Sequence, residues 1–313
     1  MARKKVLVVH YGSPSGQLTD IVDNLTAPLA ESEHVEYRHL VLKPRRPYPF
    51  PWPILRFFDT FPESIYLDPP EMEPLDLDPN EHFELVILGY QVWFLSPSGP
   101  TVGFLKDPVA RAVLKDTPVV TVIGCRDMWL MAQERTKALL ADCGARLVGN
   151  IAMVDEAGSI GSFFATPVWM LTGLRGPLLG GLLPRAGVKP EQIRDSRRFG
   201  ERMRDALEHD LPLDEGLLRG LDAVRVNTRL IATEHAAQRG FLAWGALLRK
   251  LGPCGAWQRQ PVVAVYILFL VTLLITVLPV SALLKTLLAP VMRQRIAAQE
   301  AYFSQPSGCA TSE

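Results

Sequence analysis

The chain has 313 residues, with 33 basic and 33 acidic side chains, and 48% of its residues are hydrophobic. Balanced charge leaves no electrostatic footprint for nucleic acid, and the length suits one large domain with extra segments or two small ones. The four cysteines, Cys125, Cys143, Cys254 and Cys309, are too widely spaced for a CxxC pair or zinc knuckle; this argues against a metal site and a disulfide framework, and each reads as a free thiol.

Met1–Lys5 runs directly into an apolar strand, Val6–Tyr11. No apolar h-region precedes it, so no cleavable secretory signal is expected and the N-terminal domain is expected to be cytoplasmic. The strand ends in Gly12-Ser13-Pro14-Ser15-Gly16-Gln17-Leu18-Thr19, and Leu18, Ile21, Val22, Leu25 and Leu29 then follow helical spacing. Strand, tight turn and helix open a doubly wound α/β domain. The turn suits a phosphate held by neutral donors: two hydroxyls, a glycine that permits close approach, and the free N–H groups of a helix start. Lacking a lysine, it is not a Walker loop.

A second strand is predicted over His34–Leu42. Lys43–Pro74 is dense in proline and aromatic residues, among them Tyr48, Trp52, Phe57, Phe58 and Phe61. Proline at that density forbids a central strand or long helix. The segment reads as an ordered surface insertion, or as a lid or wall of an apolar pocket. Phe83–Tyr90 is a buried strand followed by a loop, Gln91–Pro100, and apolar periodicity resumes over Val102–Leu114. Thr117–Gly124 is another buried strand, leading through Cys125-Arg126-Asp127 into a helix from Trp129 to Cys143; Ala145–Val154 is the last strand. This alternation implies a parallel sheet covered by helices on both faces. Ligands then bind outside the carboxyl ends of the strands, which selects three loops: Ser13–Leu18, Tyr90–Ser98 and Gly124–Trp129.

Gly158–Pro184 is glycine-rich and apolar, and reads as a packed insertion or as a segment dipping into a membrane surface. Pro190–Leu207 is a closing helix, and Asp214–Leu251 continues in helical pattern. Gln260–Leu284 carries no charge and is long enough to cross a bilayer. A membrane helix is expected there, with a buried helix of the globular domain as the alternative; Pro279 could turn it into a re-entrant element. Trp257 and Tyr266 could sit at the interface. Leu283–Ile296 reads as amphipathic, and Ser304–Glu313 as disordered. Cys309 lies too far from the end to form a prenylation box.

The three loops resemble the FMN site of the flavodoxin-like superfamily. Ser13, Ser15 and Gly16 match its hydroxyl-x-hydroxyl-Gly phosphate turn, with Leu18 where that pattern has a further hydroxyl residue. The resemblance implies FMN as cofactor. Ser13, Ser15, Gly16, Gln17 and Leu18 would hold the phosphate; Tyr90, Gln91, Val92, Trp93 and Phe94 would pack on the ring; Gly124, Cys125 and Arg126 would edge it. Ser13–Leu18, Ile21–Asn24, Lys43–Pro53 and Phe57–Ser64 further resemble the bacterial dialkylresorcinol condensing enzyme family. That resemblance implies a partner ketosynthase and acyl carrier protein and a lipid-like substrate.

Aromatising a dialkylcyclohexane-1,3-dione to a dialkylresorcinol is a two-electron oxidation, suited to a flavin. The expected function is therefore membrane-associated FMN-dependent aromatisation. In it Arg126 would stabilise an enolate, Asp127 would act as base, and Tyr48 or His10 would hydrogen-bond a ring oxygen. The alternatives are an anchored NAD(P)H/quinone oxidoreductase and a non-catalytic scaffold for the ketosynthase. The expected architecture is a flavodoxin-like α/β domain over 1–210, a doubly wound parallel five-stranded sheet with insertions near 43–78 and 157–186. A helical extension (211–259), a hydrophobic membrane segment (260–290) at the inner membrane and a tail (291–313) would follow.

Overall fold

In β1, Lys4–Tyr11, Val6 and Val8 face one side of the sheet and Leu7 and Val9 the other, and all four are fully buried. A strand apolar on both faces must lie between two layers. The computed structural model, which describes residues 3–13, 15–155 and 160–306, shows those layers. Five parallel strands are arranged in the order β2 (Val35–Leu42), β1, β3 (Leu85–Trp93), β5 (Pro118–Cys125), β6 (Arg146–Val154). A two-residue strand β4, Ser96–Pro97, folds back antiparallel on the end of β3. Read along the parallel strands, this is the flavodoxin-like order 2-1-3-4-5, whose switch point lies between the first and third strands.

One face is covered by α1 (Gln17–Ala30) and the closing helices α8 (Pro190–Asp195) and α9 (Arg197–Glu208). The other is covered by α4 (Gly99–Lys106), α5 (Pro108–Leu114) and α6 (Leu130–Asp142). Helix α1 buries Leu18, Ile21, Val22, Leu25 and Leu29 almost completely, each contributing about 1.5–3 kcal/mol of transfer free energy. It also lies close under α9. A Cβ on Gly200 would stand 1.9 Å from the Leu25 carbonyl oxygen and 3.0 Å from Pro28 Cδ. Gly200→Ala is therefore expected to lower the unfolding free energy by about 1–3 kcal/mol, at the upper end because the obstacle is backbone. Urea denaturation measures it, and a midpoint equal to that of the parent would contradict the close approach.

Several boundaries differ from expectation for local reasons. The apolar run 102–114 is two helices, because Asp107 caps a new one through Val109 N (2.8 Å) and Ala110 N (3.3 Å), with Pro108 at its first position. The loop expected after Tyr90 is a continuation of β3 into a hairpin with β4. Pro190–Leu207 divides at Ser196, and the helical pattern from Asp214 becomes a helix, α10, only over Thr228–Lys250. The proline-aromatic insertion contains two short helices, α2 (Ile54–Asp59) and α3 (Phe61–Ile65), and the second insertion contains α7 (Ile160–Thr172).

The largest correction concerns the last helix, α11, Gln260–Phe303. No helix among the described residues is long and apolar enough to cross a membrane. This overturns the hydrophobic membrane helix of the expected fold and the inner-membrane association. It also removes the membrane-associated aromatisation and the anchored quinone-reductase alternative, since both were built on that anchor. Near its start the helix packs on protein: Val263 and Tyr266 are fully buried, Val262, Ile267 and Leu270 flank them, and Val265, Leu268 and Phe269 face outward. Tyr266, expected at an interface, stacks on Phe61 at 4.4 Å and lies against Trp244 of α10 at 5.3 Å. At the other end, the Tyr302 hydroxyl donates to Glu134 of α6 (2.7 Å), and Phe303 is buried in the same cluster as Trp129. Most of the amphipathic reading of Leu283–Ile296, and the tail from residue 307 with Cys309, lie outside the described side chains.

Candidate functional site

The cleft lies outside the carboxyl ends of β1, β3 and β5. At the end of β1 the chain turns tightly: Ser13 N donates to Tyr11 O (2.9 Å) and Gly16 N to Ser13 O (2.9 Å). Gly16, at φ 73°, then redirects the chain into α1, a left-handed conformation that glycine adopts without steric penalty. The first intrahelical bond is Asp20 N to Gly16 O (2.9 Å), so the N–H groups of Gln17, Leu18 and Thr19 precede the helical ladder. The Ser13 and Ser15 hydroxyls lie 3.0 Å apart; one donates to the other, leaving the second hydrogen for a ligand. Thr19 does not replace the hydroxyl missing at Leu18, because its Oγ1 is engaged by His10 Nε2 at 3.0 Å.

One wall is the β3–β4 hairpin. Gln91 Nε2 donates to Tyr11 O (3.0 Å), tying the hairpin to the turn after β1. At its tip Phe94 and Leu95 both have positive φ, 48° and 60°. Two consecutive side-chain-bearing residues in the left-handed region make a turn suited to the strand twist, at a cost of roughly 1–2 kcal/mol each. Burial offsets that strain. Leu95 is packed in the cluster around Trp129, and Phe94 lies against Phe57 (5.0 Å) and Phe61 (5.7 Å). Trp93 sits edge-on to Tyr48 (4.9 Å), Trp52 (5.9 Å) and Tyr11 (6.2 Å).

The two insertions meet over this wall. Trp52 N donates to Met170 O (2.8 Å), and Phe50 meets Trp169 edge-to-face at 6.2 Å. Asp155 closes the far side: its N–H donates to Cys125 O (3.1 Å), and its Oδ2 accepts from Gly187 N (3.1 Å). The cleft between these walls holds about 200 Å³.

The fold brings Ser13, Ser15, Gln17, Leu18, Gln91, Val92, Trp93, Phe94, Gly124, Cys125 and Arg126 to one cleft, together with Tyr48. Gly16 shapes the turn without lining the space. Three other named residues lie elsewhere. Tyr90 is fully buried, its hydroxyl donating to Gln133 Oε1 (2.6 Å). His10 is fully buried, with Nδ1 3.0 Å from His39 Nε2. Asp127 lines a neighbouring depression and contacts Asn227 Nδ2 at 3.4 Å. Trp169, Met170 and Thr166 were not anticipated; their only sequence signal was the apolar character of 158–184. Asp155 and Gly187 had none.

Burial pushes the Tyr11 phenol up to about 12 and raises that of Tyr48, so both are hydrogen-bond donors at neutral pH and not bases. Burial also holds the Cys125 thiol well above its ordinary range, which keeps it from acting as a thiolate nucleophile. Desolvation lowers the Arg126 guanidinium. Burial raises the Asp127 carboxyl against the opposing pull of Asn227 and Arg126.

No protein-family model matches the chain, and no curated protein matches it. Among solved structures, it is similar to a flavoprotein in complex with FMN from Lactobacillus acidophilus NCFM, at 17% identity and TM-score 0.38, over 48% of this chain and 93% of that one. It is also similar to oxidised flavodoxin 1 from Bacillus cereus, at 13% identity and TM-score 0.29, over 55% and 99%. A third is the Trp repressor binding protein from Bacillus subtilis, at 15% identity and TM-score 0.29, over 54% and 99%. These likenesses are distant, and the flavodoxin-like assignment rests on the strand order. The resemblance to dialkylresorcinol condensing enzymes is supported by no family model and no curated protein.

Proposed function

We propose that this chain binds FMN in the cleft and acts as a flavin-dependent oxidoreductase on a small apolar substrate. The observation that supports this most is that a neutral phosphate turn, an aromatic wall and the Gly124–Arg126 edge converge on one cleft at the switch point of the sheet. The residues present fit the group. Ser13, Ser15 and the start of α1 offer donors to a phosphate, and Trp93 and Phe94 offer apolar surface to a planar ring. Gln91 Oε1 and Thr166 Oγ1, on two residues of the lining, have no hydrogen-bond partner within the protein; buried polar atoms of this kind call for a polar ligand or water.

FMN, when bound, would supply hydride or electron exchange. The protein's share is to bind, orient and exclude water. Tyr48 and Tyr11 are protonated donors, and Arg126 places a cation at the edge of the space. The roof formed by Trp52, Phe57, Trp169 and Met170 limits access to small, apolar molecules.

Purified protein mixed with FMN is expected to retain one flavin per chain through gel filtration, with quenched flavin fluorescence. A Ser13→Ala/Ser15→Ala variant is expected to bind FMN roughly 10- to 100-fold more weakly, since hydrogen bonds to a charged group contribute about 1.5–3 kcal/mol. Wild-type protein that takes up no FMN at saturating concentration would sink the proposal.

A further inference from the structure

The phosphate turn contains no lysine or arginine, yet the fold sets a cation from a distant segment behind it, outside the cleft lining and against the Gln17 side chain. Arg175 Nη2 lies 3.2 Å from Oε1 of Gln17, the first residue of α1. The same oxygen accepts from Val188 N (2.9 Å), and Arg175 Nε donates to Ala186 O (3.1 Å). The guanidinium lies over the ring of Trp169 at 4.8 Å, a residue of the cleft lining. Its partners are thus an amide oxygen, a carbonyl oxygen and an aromatic face, all uncharged. Arg175 makes no ion pair with any described carboxylate: Asp20 and Asp155 act on it only through space, as does the like charge of Arg185. A half-buried guanidinium with no counter-ion among the described residues, beside the positive end of a helix, is an arrangement an anion completes.

We infer that Arg175 is the specificity-determining cation of the phosphate subsite, selecting a phosphate monoester over the corresponding uncharged alcohol. The inference rests on the proposed flavin site and names which form of flavin it takes: FMN and not riboflavin. Gln17 positions the guanidinium at the helix start, and the Trp169 face holds its plane.

The test compares wild type, Arg175→Gln and Arg175→Lys with three probes: FMN, riboflavin and inorganic phosphate. Arg175→Gln is expected to weaken FMN binding roughly 10- to 100-fold, as for one charge-assisted hydrogen bond, and to leave riboflavin binding unchanged. Arg175→Lys is expected to recover part of the loss. Inorganic phosphate is expected to raise the melting temperature of wild type and not that of Arg175→Gln. If wild type binds neither flavin but keeps a phosphate response that depends on Arg175, the flavin reading fails and the phosphate subsite stands. Equal loss of FMN and riboflavin in Arg175→Gln would reduce Arg175 to a structural latch and overturn the inference. FMN binding that is unchanged, or a phosphate response equal in both proteins, would overturn it as well.

Discussion

Arg259→Met is expected to lower the unfolding free energy by about 3–5 kcal/mol, the scale of removing one member of a buried ionic cluster. Arg259 is fully enclosed, and its guanidinium faces two acids of the proline-aromatic insertion. Nη1 donates to Glu63 Oε1 (2.7 Å), Nη2 to Glu63 Oε2 (3.1 Å) and to Asp59 O (2.8 Å), and Nε lies 2.8 Å from Asp59 Oδ1. The Nε contact lacks hydrogen-bond alignment, since both atoms remain unsatisfied; its value is electrostatic. Asp59 is further held by Gly255 N (2.6 Å). Burial, with the like charge of Glu63, raises the Asp59 carboxyl against the pull of Gly255 N–H and Arg259, so without Arg259 it would be left protonated or uncompensated. The cluster fastens the segment before α11 to α2 and α3, whose Phe57 roofs the cleft. Urea denaturation of the variant is the measurement. A loss below about 1 kcal/mol, the usual value of an exposed ion pair, would show that the cluster is solvated in solution. The paired change Arg259→Met/Asp59→Asn is expected to recover part of the loss.

The second large effect is a pH dependence set by His10. Burial, aided by the neighbouring His39, lowers its pKa from 6.5 to about 4. Between those values the unfolded chain binds a proton that the folded chain refuses, so stability increases with pH across that window. Its contribution is complete above about pH 6.5 and lost as the pH falls toward 4. The difference amounts to about 3 kcal/mol. His39 is also lowered by burial and acts with the same sign. Glu234 acts with the opposite sign. Burial raises it from 4.5 to about 7, so the folded chain binds the extra proton and stability falls as pH rises from 4.5 to 7. The wild-type profile is therefore flatter than either group alone would make it. His10→Asn isolates the first term. The stability difference between wild type and this variant is expected to shift by about 3 kcal/mol between pH 7 and pH 4. A difference constant with pH would show that His10 is hydrated or protonated in the native protein.

Both terms surround residues whose legibility in the sequence was uneven, and the unevenness has physical causes. The strands Val6–Val9, Leu85–Leu88 and Val119–Ile123 were legible because a strand buried on both faces leaves a continuous apolar run. The α1 face was legible because its apolar residues recur every three or four positions. Together these suffice for a parallel sheet covered by helices and for the three loops at its carboxyl edge; the strand order itself is set by tertiary pairing. Tyr90, expected toward the cleft, lies in the core because β3 continues through Trp93; a strand ended at Tyr90 hides which residues point inward. Asp155, Trp169 and Arg175 reach the site through tertiary contacts that no local pattern encodes. The Gln260–Leu284 segment shows the converse limit. A hydropathy run records how apolar a helix is, not what it packs against, and the partners of Val263 and Tyr266 lie on α3 and α10.

The roof is also tied to the rest of the molecule by long-range contacts. Asp59 and Arg259 are 200 residues apart in sequence, and Gln17 and Arg175 are 158 apart. Contacts of such high contact order form late, because the chain entropy of closing long loops is lost before they contribute. On the ribosome, the strands from β1 to β6 emerge and can pair while the segment carrying Arg259 is still unsynthesised. The nascent chain thus passes through an interval in which the sheet and the aromatic roof residues exist without the Arg259 cluster that fastens α2 and α3.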